Sequence, residues 1–349
     1  MFWKNRKEKN NKISKWINNN IFSMKDVNSK LVKFGQSSGV QGTVLFCKMP
    51  GSKSENIAIK LVKIPDFRKL GYNTNIFSKK MLENYEVWLE LANTLIVSEL
   101  VKQQINPHFV DLYRFCIDSK SKKLVLFEEF IEQDKAKRGI VYLEDFVRSG
   151  DPRIIMNILF QLLAGICSLQ YNGMVHSDLH PGNIFVERTG TGSMGYWVYK
   201  INHETYYLPD MGYRIYIGDY GRIWTPGKIK LGWYHGRYSM KQFGYYPEDF
   251  DIYKITENLL KGIKDPSILY VVNYLDALFV PTKRKKSSSP QIDDIIEIIF
   301  GKFFLEGHCE THPWNCYYIK PPGKKLGTFN LDKKLNLSNL PKELQTILK

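Results

Sequence analysis

The residues best suited to chemistry lie in one short run, His176-Ser177-Asp178-Leu179-His180-Pro181-Gly182-Asn183, which sets an Asp and an Asn five residues apart on a tight loop. Thirty-six residues beyond Asn183 begins the triplet Asp219-Tyr220-Gly221, with the Asp at a strand end. Upstream, Ala58-Ile59-Lys60 closes a strand, preceded by the turn-forming run Gly39-Val40-Gln41-Gly42-Thr43-Val44. A lysine, hard oxygen donors and flexible glycines are the residue types that phosphate and divalent-cation chemistry uses. Each fragment alone is common. Their order along the chain and their strand contexts together are hard to produce by chance.

The elements that must position these residues are legible as patterns. Residues 1–24 carry Lys4, Arg6, Lys7, Lys9, Lys12 and Lys15 against Glu8 alone, which reads as a basic N-terminal tail or a short, poorly anchored helix, solvated rather than a specific binding arm. From about Lys30, the runs KLVKFG, GTVLFCK and NIAIKLVKI, separated by Gly and Ser turns, predict an antiparallel sheet. Asn75 to Gln104 has Leu82, Val87, Leu91, Leu95, Val97 and Leu100 at helical spacing, predicting one long amphipathic helix. VDLYRFCID and KKLVLFEEF add two strands. Pro152 opens a strongly apolar helix, where its missing N–H costs nothing. That helix feeds the strand–loop–strand VHSDLHPGNIFV. Residues 187–220 read as an extended Tyr- and Gly-rich hairpin, and helices follow at about 249–262, 266–279, from Ile292 and near 340–348. TKRKKSSSPQ (282–291) has the composition of an exposed loop.

Composition bounds the rest. At 349 residues, 43% hydrophobic and 14% aromatic, the chain can build about two globular units and is no disordered polymer. No apolar run approaches the ~20 residues that span a bilayer, so membrane spanning is set aside. The N-terminus is too polar for a signal peptide, and an intracellular location is expected. Five cysteines are too few, and odd in number, for a disulfide framework. Fifty basic residues against thirty-five acidic ones give a net charge of +15, which favours anionic partners such as nucleotides, nucleic acid, acidic proteins or lipid head groups without choosing among them.

From about residue 31 to 260 the ordered set resembles the protein kinase superfamily. It is similar to serine/threonine kinases of large nucleocytoplasmic DNA viruses, through INPHFVDLY, the HSDLHPGN loop and the insertion WVYKINHETYYLPDMGYRIYIGDYG. The resemblance implies an α+β, bilobal fold. An N-lobe (25–130) would hold a small antiparallel sheet and one long helix. A larger, mainly helical C-lobe (131–349) would hold the catalytic loop, a hairpin insertion at 187–216 and the C-terminal helices. It implies ATP and Mg²⁺ as cofactors and protein substrates as partners, with host cytoplasm or virion as location if the viral kinship holds.

It also implies roles. Gly39 and Gly42 would let backbone N–H groups approach the phosphates, with Val44 and Ala58 in the nucleotide-binding segment. Lys60 would hold the α- and β-phosphates and be oriented by a helix carboxylate: Glu90, seventeen residues before Pro107, first, with Glu86 and Glu99 as runners-up. Asp178 would receive or orient the acceptor proton, and Asn183 and Asp219 would hold Mg²⁺. Phe127 would close the back of the adenine pocket, with Glu128 to Phe130 supplying hinge hydrogen bonds. Asp251 would brace the catalytic loop.

The chain departs from the pattern in several places. Ser37 replaces the first phosphate-loop glycine, with Gly35 two residues earlier. Ser177 stands where regulated kinases have Arg, and Tyr246-Pro247-Glu248 is at best a remnant of the Ala-Pro-Glu signature. His180 replaces a lysine and resembles haspin, aminoglycoside phosphotransferases and choline kinases. The rival readings are therefore a small-molecule phosphotransferase of the same fold and a weakly catalytic scaffold or nucleic-acid binder; the basic residues show no aromatic-interleaved platform for the latter. His308, Cys309, His312 and Cys316 could ligate zinc, but without a second Cys pair of familiar spacing the segment reads as a plain loop.

Overall fold

The computed structural model describes residues 2–38, 42–52, 55–65, 67, 74–131, 151–189, 195–223, 225, 250–255, scattered positions from 263 to 275, 292–300, 317 and 319–349. Gly39, Tyr246-Pro247-Glu248, the 282–291 loop and the His308–Cys316 cluster lie outside the described residues. The arrangement is α+β. A five-stranded antiparallel sheet comprises β1 (Val32–Ser38), β2 (Gly42–Lys48), β3 (Asn56–Lys63), β4 (Leu112–Asp118) and β5 (Lys123–Glu129), in the order β1-β2-β3-β5-β4. Gly42 is demanded by packing at this sheet: a Cβ there would lie 2.3 Å from the Leu61 carbonyl oxygen.

The N-terminal segment is not a solvated tail. It forms the 19-residue helix α1 (Phe2–Asn20), followed by α2 (Met24–Lys30), which Ser23 caps by accepting from the Asp26 N–H. Ile13, Ile17 and Ile21 are fully buried and share a core with Ile57, Ile59, Val125 and Phe127 on one face of the sheet. The buried positions Arg6, Asn10, Ile13, Ile17 and Ile21 recur at helical spacing. The first two are polar, so the stripe is hidden from an apolar count.

The helix expected over 75–104 is also revised. Tyr85 leaves helical geometry (φ −133°, ψ 108°) and divides it into α3 (Lys79–Asn84) and α4 (Glu86–Lys102). Nor is α4 amphipathic: from Val87 to Val101 every residue except Leu95 is buried. It is a core helix, covered on all sides, and its polar residues are held by specific partners.

The apolar helix α5 (Pro152–Tyr171) begins as expected, with Asp151 accepting from the Arg153 N–H at 2.9 Å. It is long and apolar enough to cross a membrane, but 83% of its apolar window is buried inside the protein, which is the signature of a core helix. The 187–220 region holds more than a hairpin. β6 (Ile184–Arg188) pairs antiparallel with β9 (Tyr213–Ile217). Between them β7 (Gly195–Ile201) and β8 (Glu204–Pro209) form a tight hairpin, whose turn residues Asn202 and His203 both have positive φ. The Lys-rich β10 (Lys324–Asn330), absent from the sequence reading, adds in parallel to β7. The helices α6 (Phe250–Ile255), α7 (Ile292–Phe300) and α8 (Lys342–Leu348) complete the described elements.

Candidate functional site

Sheet register decides which residues face the site. Val44, Lys60 and Leu126 are paired across β2, β3 and β5, as are Phe46, Ala58 and Glu128. Side chains alternate along a strand, so these residues share one face and Leu45, Ile59 and Phe127 share the other. Phe127, expected at the back of an adenine pocket, therefore turns away from the face that carries Lys60. It is fully buried beneath α1, and Glu128 takes the site-facing place at the end of β5. Phe130 stacks edge-on against Phe34 and Phe46, with ring centroids 5.6 Å apart in each pair.

On this face the Lys60 ammonium meets two carboxylates, Glu90 from α4 and Asp219 Oδ1 at 3.0 Å. The fold thus joins residues 159 positions apart in the chain. Of the three candidate glutamates, Glu90 makes the contact. Glu99 instead accepts from Asn339 and Gln103 at the far end of α4, and Glu86 lies within electrostatic reach of Arg222 and Asp219. Glu90 is 2% exposed, so its ammonium partner offsets a desolvation cost that would otherwise be several kcal/mol.

The Asp-Asn loop is built onto the same place. Strand pairing of Ile184 with Ile217 sets Asn183 beside Gly218, whose N–H donates to the Asn183 carbonyl at 2.9 Å, and so brings Asn183 next to Asp219. The Asn183 side-chain amide donates to the Asp178 carbonyl at 2.9 Å, which leaves its oxygen as the remaining polar end. Asp251, at the start of α6, accepts from the N–H groups of His176 (2.7 Å) and Ser177 (2.8 Å). His176 is fully buried, with Nε2 at 3.1 Å from the Gly218 carbonyl, so it ties the loop to the strand end. Ser177 (φ 64°) and Asp219 (φ 58°) both adopt left-handed backbone, a costly geometry for side-chain-bearing residues that surrounding contacts must enforce. His180 folds back to accept from the Gly182 N–H at 3.1 Å and acts as the cap of its own turn.

Two contributors escaped the sequence reading. Arg222 Nη1 lies 3.2 Å from Asp178 Oδ1. Asn93 on α4 donates to the carbonyls of Tyr220 and Ile223, each at 2.9 Å, fastening the Asp219 turn to the helix that carries Glu90. Arg222 directly follows the Asp-Tyr-Gly triplet and could have been marked as a cation beside two acids. Nothing local marks Asn93.

Burial works against the charge of Lys60, but Glu90, Asp219 and Glu128 outweigh it and hold the ammonium protonated. Burial likewise works to raise Asp219, yet Lys60 and a hydrogen bond from it keep the carboxyl below its ordinary range. For Glu128 the compensation falls short: burial, with Glu90 and Asp219 nearby, pushes it up to about 7 against the pull of Lys60. Among the described residues no three His, Cys, Asp or Glu side chains gather as a metal cage. The oxygens on offer are the ionised Asp219 carboxylate and the Asn183 amide. Such hard donors, two in number, suit Mg²⁺ that takes its other ligands from water and phosphate.

No family model matches the chain. Over 96 residues it is 31% identical to "Serine/threonine-protein kinase SSN3" of Candida glabrata, covering 28% of this chain and 17% of that protein. Over 139 residues it is 25% identical to "SNF1-activating kinase 1" of Saccharomyces cerevisiae, covering 39% of this chain and 12% of that protein. The chain thus spans less than a fifth of either relative. These weak similarities point to the protein kinase superfamily.

Proposed function

We propose that this chain is an ATP- and Mg²⁺-dependent protein kinase that transfers the γ-phosphoryl group to Ser or Thr hydroxyls, on a bilobal fold whose cleft lies at Lys60, Asp178 and Asp219. The observation that carries this reading is the contact of the Lys60 ammonium with both Glu90 and Asp219, beside a loop presenting Asp178 and Asn183. Phosphoryl transfer asks a protein mainly for positioning and charge neutralisation. Lys60, held cationic and fixed by Glu90, binds the α- and β-phosphates. Val44 and Ala58 line the nucleotide side, Glu128 borders its inner edge, and the segment through Phe130 follows the base. Asn183 and Asp219 hold Mg²⁺, which when bound neutralises phosphate charge. Asp178, anchored through its carbonyl by Asn183 and through its carboxylate by Arg222, orients the acceptor hydroxyl and takes its proton.

The likeness to viral kinases rests on the shared motifs alone. The small-molecule reading drew on His180, whose ring is already engaged in its own turn. Labelled ATP offered with basic and acidic proteins, and in parallel with amino-sugars and choline, tests the reading. Label on protein Ser or Thr is expected. Label on the small molecules alone would reassign the substrate class. No transfer at all, with steeply salt-dependent DNA binding, would favour the scaffold reading.

A further inference from the structure

Arg6 lies far from the phosphate-chemistry residues in sequence, yet it joins the segments that carry them. Its side chain is 4% exposed, and every nitrogen of the guanidinium is spent. Nε donates to Glu129 Oε1 at 2.8 Å and Nη2 to Glu129 Oε2 at 2.5 Å, a bidentate pair. Nη1 donates to the Pro107 carbonyl at 2.6 Å, Nη2 also to the Phe109 carbonyl at 2.7 Å, and the guanidinium carbon sits 4.8 Å from the Tyr216 ring centre.

Each partner leads to the site. Glu129 follows Glu128 at the end of β5. The 107–110 run is bound on its other side to the last residue of β9: Ile217 N–H donates to the His108 carbonyl at 2.8 Å, and Val110 N–H to the Ile217 carbonyl at 3.2 Å. Ile217 stands two residues before Asp219. The Tyr220 hydroxyl grips the same run, 2.8 Å from the Val110 nitrogen. One buried cation therefore fixes the end of β5 relative to the strand that delivers Asp219.

We propose that Arg6 is a positioning residue of the nucleotide site, holding the β5 end and the Asp219 strand at the spacing a bound nucleotide requires. The proposal rests on the kinase reading given above. Covering the sheet does not require Arg6, because Ile13, Ile17 and Ile21 supply the apolar contact. If Arg6 sets the site, coupling is reciprocal, and a bound nucleotide must in turn steady α1.

The test uses the full chain with MgATP. In the wild type, nucleotide is expected to slow amide exchange across residues 5–20. The double variant R6M/E129M exchanges the ion pair for an apolar pair, a change that buried pairs often tolerate in stability. It is expected to melt somewhat lower, because the Pro107 and Phe109 carbonyls lose their donor, while kcat/KM for ATP, measured well below melting, falls roughly tenfold or more, with KM for the acceptor unchanged; R6K is expected to lie between. A folded double variant whose kcat/KM for ATP matches the wild type overturns the proposal. So do α1 exchange rates that nucleotide leaves unmoved, a result readable even if the variants fail to fold. A wild-type chain that binds no nucleotide sinks the kinase reading together with this one, whereas binding that leaves α1 untouched sinks the Arg6 proposal alone.

Discussion

The two faces of the β2–β3–β5 sheet are made by the same strands and do opposite things. Along NIAIKLVK, Ile57, Ile59 and Leu61 point under α1 into a dry core, while Ala58 and Lys60 point the other way. The apolar face gains stability in proportion to area removed from water. The charged face gathers Lys60, Glu90, Asp219 and Glu128, where the Lys60 ammonium offsets much of the desolvation of the carboxylates around it. Stability and chemistry are thus separated by a single residue step, as the period of two along a strand allows.

Substitutions can break this comparison if they cross it. On the charged side, Asp178→Ala is expected to cut turnover by roughly 10²–10⁴, the usual range for a general base, with the melting temperature little changed. Asp219→Asn and Lys60→Met should fall in a similar range in labelled-ATP assays. A chain with undiminished turnover after Asp219→Asn would show that the carboxylate is misassigned. On the apolar side, Phe127→Ala is expected to cost ~3–5 kcal/mol of stability by opening a cavity. Measured well below its melting point, its KM for ATP should match the wild type. A selective rise in KM would place Phe127 against the nucleotide after all.

Acidity sharpens the contrast. His108 is buried, which lowers its folded-state value to about 3, with a hydrogen bond to the Ile215 carbonyl working the other way. The unfolded chain therefore binds the proton first, and stability is expected to fall as pH drops from about 6.5 toward 3, by up to about 1.4 kcal/mol per unit. Glu128, raised to about 7, has the opposite sign and loses stability as pH rises through the range from its ordinary value to about 7. The two oppose each other in mildly acidic solution. Denaturant titrations of Glu128→Gln should thus show a steeper acid loss than the wild type; identical slopes would remove Glu128 from the account. The smallest effect expected is on nucleotide binding. As pH rises through about 7, ionised Glu128 competes with phosphate for Lys60, so wild-type affinity should weaken by about threefold, a screened interaction's size. Glu128→Gln should flatten that dependence.

Much of the site was legible because its residues are marked locally. Asp178 and Asn183 share a loop, Asp219 begins a recognisable triplet, and Lys60 sits in an apolar strand, β3, which runs three residues further than the sequence reading placed its end. The five sheet strands were legible because alternation and turn residues are properties of a few neighbouring positions. β10 was not, since a Lys- and Gly-bearing run becomes a strand only when β7 offers it a partner.

By itself, then, the sequence determined which groups are available and the local elements that carry them, because side-chain chemistry and short-range periodicity are written residue by residue. Tertiary structure alone decided that Glu90 rather than Glu86 or Glu99 meets Lys60, that Phe127 turns away and Glu128 turns in, and that Arg6 belongs to a packed helix. Each of those outcomes depends on strand register or on burial by a distant segment. A polar residue such as Arg6 or Asn10 looks solvated in sequence, and becomes interior only when the fold brings an acceptor to it.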